Sequence, residues 1–171
     1  MSERHDACAS CSLFGLDHPC ETAGRLDPAR VARAFLELYR FTYGTSPDPA
    51  AAEARQWAYN CIEALRYTDP DLALDVVLLA LGMTGEDDEI AFLAAGPMED
   101  LIVDAGEQVI GRVEAEAMRN PGFRRLLSGI WSQGTSGTEV WRRVQRAVQD
   151  GPWLSDDPRT PQGTARLTRK H

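Results

Sequence analysis

The sequence predicts an all-α protein, a compact array of about eight short helices in HEAT-like or irregular antiparallel pairs. Three observations carry this. Apolar residues recur at helical spacing from about residue 30 to residue 148, and no window alternates with period two for long enough to make a strand. The dipeptide Asp-Pro opens three segments, at Asp27-Pro28, Asp48-Pro49 and Asp69-Pro70. An aspartate there accepts from the orphan N–H groups of a helix start, and proline at the first helical position loses nothing. The pairs are spaced 21 residues apart both times. A helix plus a turn fills that length, and two such units fill about 42 residues, within the HEAT and armadillo range.

The elements follow in order. Val31, Ala34, Phe35, Leu38 and Thr42 share the first helical face, and Ala54, Ala58, Cys61, Ile62 and Leu65 the second. Leu72 to Leu81 is apolar nearly all round except Asp75, which marks it as the central buried helix. A fourth helix begins at Glu86-Asp87-Asp88-Glu89, where carboxylates meet the positive end of the helix dipole, and stops at Gly96-Pro97. A short fifth carries Met98, Leu101, Ile102 and Ala105 and is closed by Gly106. The sixth carries Val109, Ile110, Val113 and Ala117; the seventh carries Phe123, Leu126, Leu127 and Ile130. The eighth, opened by Thr138 or Ser136, carries Val140, Trp141, Val144, Ala147 and Val148. The expected division is a cysteine-containing tail over 1–25, a helical domain over 26–150 and a basic disordered tail over 151–171, too poor in apolar residues to offset its ordering entropy.

Composition excludes several chemistries. With 18 basic and 26 acidic residues the net charge is −8, and the pI near 4.9 argues against nucleic-acid binding, which needs a dense cationic face. No wholly apolar run is longer than that from Val76 to Leu81, which is too short to span a bilayer, and no export signal is visible near the start, so a cytoplasmic protein is expected. The only lysine is Lys170 and the only histidines are His5, His18 and His171, which leaves the body without a phosphate-binding lysine or a histidine base. Charge is uneven: eleven carboxylates and no basic residue lie between Arg66 and Arg112, while 112–150 is net positive. Such polarity steers partners of opposite sign, though solvated helix faces carry charge in the same way.

The segment Ala94-Ala95-Gly96-Pro97-Met98-Glu99-Asp100-Leu101, with Phe123-Arg124, Trp131 and Val140-Trp141 downstream, resembles an uncharacterised family of small bacterial helical proteins with a Gly-Pro-(Leu/Met)-Glu-Asp-Leu signature. The resemblance covers about residues 30–148 and implies a family label without an activity. Small acidic helical proteins of this sort are often encoded beside toxins or phage-defence genes, an association by analogy.

Three groups of residues are candidate sites. Cys8, Cys11, His18 and Cys20 have the donor types of a tetrahedral zinc shell, although no second Cys-x-x-Cys exists and a reduced flexible tail is the simpler reading. Glu99 and Asp100, with Asp104 and Glu107, follow a helix start; Asp100 and Asp104 are one turn apart and would repel unless a divalent cation or an arginine, from a partner or from this chain, sits between them. The simpler reading is complementation of the helix dipole. Trp131, at the mouth of the 132–137 loop, is either an exposed anchor or packed beneath that loop. The expected function is a non-catalytic protein-interaction module without a cofactor, immunity- or antitoxin-like in its sharpest form. Glu86, Asp87, Asp88, Glu89, Glu99, Asp100, Asp104 and Trp131 would bind a basic protein partner. The alternatives are a carboxylate-dependent, metal-assisted hydrolase and a zinc-stapled regulatory adaptor.

Overall fold

All three Asp-Pro pairs cap helices in the computed structural model, which describes residues 19–23, 25–132 and 134–154. Asp27 accepts from the Arg30 N–H at 3.1 Å and starts α1 (Pro28–Tyr43). Asp48 accepts from Ala50 and Ala51 and starts α2 (Pro49–Glu53). Asp69 accepts from Leu72 at 3.0 Å and starts α4 (Pro70–Leu81). Each cap is worth about 1 kcal/mol. The units between them are unequal, so the even spacing marks helix starts and not a structural repeat. The segment after Asp48 was expected to be one helix. It is two, because the chain steps at Arg55 (φ −110, ψ −4), whose Nε reaches Glu37 on α1 at 2.6 Å, before α3 (Gln56–Thr68) begins.

The chain continues through α5 (Asp87–Leu93), a π-helical turn over Ala94–Met98, α6 (Glu99–Arg119), α7 (Pro121–Leu127) and α8 (Glu139–Val148). Two expected breaks behave differently. Gly96-Pro97 does not end a helix outright: Gly96 leaves helical geometry (φ −120, ψ −105) inside the π turn, and α6 follows at once. Nor does Gly106 close a helix. The two segments expected on either side of it are one, α6, kinked at Ala105 (φ −130, ψ 16). Gly106 is there for packing, since a Cβ at that position would lie 2.7 Å from Val140 Cγ1 on α8.

The fold is all-α. Among the described residues the only strands are the two-residue pair Glu21–Thr22 and Arg25–Leu26, antiparallel. This pair lies where a featureless tail was expected, and it places Cys20 fully inside the core and Leu26 against it. As expected, α4 is central: it packs on α1, α3 and α6 and also touches α5, α7 and the π turn. Its Ala73, Leu74, Val76, Val77 and Ala80 are buried. All four residues of the stripe ascribed to the seventh helix are buried, as are Trp141, Val144 and Val148 of α8, which Thr138 caps. Thr42 is an exception to the α1 stripe: it is exposed, and its hydroxyl donates back to the Leu38 carbonyl at 2.7 Å. No helix among the described residues is long and apolar enough to cross a membrane.

Candidate functional site

Where the C-terminal end of α1 meets the start of α5, the surface opens into a cleft of about 720 Å³. One wall comes from helical spacing: Tyr39 and Tyr43, four residues apart, lie on one side of α1. Their rings gather about Phe92 of α5, with centroids at 4.7 and 6.1 Å, and Phe35 stacks on the same ring at 5.2 Å from inside the core. Tyr43 is 67% exposed while Tyr39 and Phe92 are half-buried, so this wall meets solvent chiefly through Tyr43. The other wall is the first turn of α5 and the residue before it, with Glu86 and Asp88 exposed and Glu89 buried. Among the described residues Glu86 and Asp88 have no ion-pair partner.

Glu89 is different. Its carboxylate accepts from Arg40 Nε at 2.6 Å, from Arg40 Nη2 at 3.2 Å and from the Gly85 N–H at 2.7 Å. The Arg40 hydrogen bond, opposed by burial and aided by the Gly85 N–H, holds the Glu89 carboxyl below the usual range. Burial, then the charges of Asp88 and Glu89, push the Tyr39 phenol up, a sign that negative potential reaches the aromatic wall.

The remaining carboxylates expected to form a recognition surface are largely engaged within the chain. Asp87 is paired with Arg125 of α7 at 2.5 and 2.7 Å, and those hydrogen bonds lower its pKa. Asp100 and Asp104 do have a cation between them, and it is an arginine of this chain: Arg66 Nη1 lies 3.0 Å from Asp100, Arg66 Nε 3.2 Å from Asp104, and Nη2 2.9 Å from Glu63. Arg66 Nε is buried and lacks a well-directed hydrogen bond, so its contact with Asp104 is electrostatic. Tyr67 donates to Asp104 at 3.0 Å, and its ring lies 4.7 Å from the Arg66 guanidinium. Burial raises the Glu63 carboxyl, with Arg66 pulling it the other way.

Two residues expected on the recognition surface are not on it. Glu89 and Glu99 are buried, 5% and 4% exposed. The reason in each case is internal satisfaction: Glu89 is held by Arg40 and Gly85, and Glu99 Oε2 accepts the Trp131 backbone N–H at 2.7 Å. Glu99 thus fastens the 131–132 stretch to the start of α6. The Trp131 side chain is 43% exposed and does not line the cleft. Of the four candidate zinc ligands, Cys8, Cys11 and His18 lie outside the described residues, and Cys20 belongs to the buried core. Among the described residues no group of three or more His, Cys, Asp or Glu side chains is arranged to hold a metal ion.

The model of a family of unknown function, DUF6869, matches residues 45–151. The chain belongs to the DUF6869 family. The DUF6869 match contains α2 to α8 and the acidic wall of the cleft, while Tyr39, Arg40 and Tyr43 precede it. No curated protein and no solved structure matches the chain.

Sequence reasoning missed Tyr39, Arg40 and Tyr43 as site residues. The available signal was a pair of tyrosines one helical turn apart at the end of a helix whose apolar stripe did not include them. Arg66 was missed as an individual, although an arginine between Asp100 and Asp104 was among the readings.

Proposed function

We propose that this protein is a non-catalytic interaction module whose acidic surface docks a basic protein partner. The observation that carries the reading is the pairing of Glu86 and Asp88, exposed and without an ion-pair partner among the described residues, with an exposed aromatic wall across one cleft. Exposed aromatic rings supply contact area at low entropic cost, and unpaired carboxylates supply charge complementarity and a fast encounter. The internal ion pairs narrow the surface: Glu86 and Asp88 are its charged centre, with Asp87 beside them shared with Arg125. That Arg66 stands among Glu63, Asp100 and Asp104 supports binding over metal-assisted hydrolysis, because a resident guanidinium takes the place a divalent ion would need. The sharper form is an immunity-like protein that neutralises a basic toxin in the cytoplasm.

Affinity capture with the full chain tests this. A basic partner should be retained at low salt, fall away as ionic strength rises, and be lost in the Glu86→Lys, Asp88→Lys variant. Retention unchanged by salt and by that double reversal overturns the reading.

A further inference from the structure

We infer that the cleft between α1 and α5 is the seat of an arginine side chain carried on a short extended segment of the partner, an inference that rests on the interaction-module reading. The volume, about 720 Å³, lies in the range of small-molecule pockets and admits a few residues of peptide. Tyr39 and Tyr43 line one side with aromatic rings, and Glu86 and Asp88 line the other with carboxylates. A planar guanidinium satisfies both at once, stacking on an aromatic face while its edge donates to carboxylates.

Other ligand chemistries fit less well. An anion would meet Glu86 and Asp88. A neutral apolar group would cover the carboxylates without giving them a counter-charge, which costs desolvation energy. An ammonium is a compact, strongly hydrated point charge that does not stack as a guanidinium does. The cleft already holds one guanidinium on a carboxylate: Arg40 donates to Glu89 through Nε and Nη2, and its Nη2 lies 3.3 Å from the Met83 carbonyl oxygen. With Arg40 committed to Glu89, Glu86 and Asp88 are the charge left for a guest.

The test is calorimetric titration of the full chain with a capped pentapeptide whose central arginine is flanked by alanine and glycine. Matched peptides carry lysine or the neutral isostere citrulline instead. The arginine peptide should bind saturably, about tenfold tighter than the lysine peptide, with no measurable citrulline binding and with affinity falling as salt rises. Tyr43→Ala and the Glu86→Gln, Asp88→Asn pair should each weaken binding about tenfold. A cooperative melting transition and an unchanged far-UV circular dichroism spectrum verify that the variants are folded.

No binding to the wild-type chain, equal binding of arginine and citrulline peptides, or insensitivity to those substitutions overturns the inference. So does binding that appears only when Arg159, Arg166, Arg169 and Lys170 are replaced by alanine, because the occupant is then the chain's own C-terminal segment. If a basic protein is still captured and lost on charge reversal while the arginine peptide fails, the interaction module stands and the arginine seat falls.

Discussion

Replacing Glu89 with alanine removes a carboxylate on which three hydrogen bonds converge, two from Arg40 and one from the Gly85 N–H. Breaking a fully buried ion pair by deleting one partner costs about 3–5 kcal/mol. Here only one side is buried: the Glu89 side chain is 6% exposed and that of Arg40 is 47% exposed. Freed Arg40 can therefore rehydrate, while Gly85 loses an acceptor, and the expected loss is about 2 kcal/mol. For a chain of this size that corresponds to a drop of about 4–8 °C in Tm. Urea unfolding followed by circular dichroism reads it as a lower midpoint at unchanged slope.

The pH dependence has a definite sign. The folded-state pKa of Glu89 lies below its unfolded value, so its stabilisation is fully present above the unfolded pKa, about 4.3, and is lost as pH falls through the folded pKa. The gap between wild type and Glu89→Ala should therefore be constant from neutral pH to about pH 5 and shrink below about pH 4. Glu86→Ala, on the exposed wall, should stay within about 0.5 kcal/mol of wild type. A Glu89→Ala loss no larger than this control, or a gap that widens on acidification, refutes the reasoning.

Further expectations concern helix ends, close packing and the Arg66 cluster. Asn120 caps α7 by accepting from the Phe123 N–H at 3.1 Å and also donates to Glu116 at 2.9 Å, so Asn120→Ala should lower unfolding stability by about 1–2 kcal/mol. Gly106→Ala should lower the urea midpoint because the new methyl meets Val140, and adding Val140→Ala should cost less in that background than in wild type, read as a double-mutant cycle. Arg66→Leu removes the cation shared by Glu63, Asp100 and Asp104; carboxyl NMR titration should find Glu63 raised further. Because the folded pKa of Glu63, already above its unfolded value, is then raised further, this variant should regain part of its lost stability as pH falls toward the unfolded pKa and Glu63 takes up a proton.

Local signals were legible in the sequence, and long-range pairings were not. Asp27, Asp48, Asp69 and Thr138 announced their helices because capping is a matter of a few neighbouring atoms. The stripe through Phe123, Leu126, Leu127 and Ile130 announced burial because spacing alone puts those residues on one face. Gly106 misled because a glycine that lets α8 approach α6 looks in sequence like a helix terminator. The acidic run misled differently. Charge arithmetic counts Glu89 and Glu99 like any exposed carboxylate, yet Arg40 and the Trp131 N–H, both distant in sequence, satisfy them inside the fold. The cleft was invisible for the same reason, since its walls at Tyr39–Tyr43 and Glu86–Asp88 meet only once α1 and α5 pack together.

Site-specific photocrosslinking from position 46, at the lip of the cleft, tests the central claim in the producing cell. The expected result is one covalent adduct with a basic polypeptide, its attachment mapping to a segment that contains arginine, and its yield abolished by Glu86→Lys with Asp88→Lys. An adduct whose yield ignores that charge reversal, or attachment to an acidic partner, would contradict it.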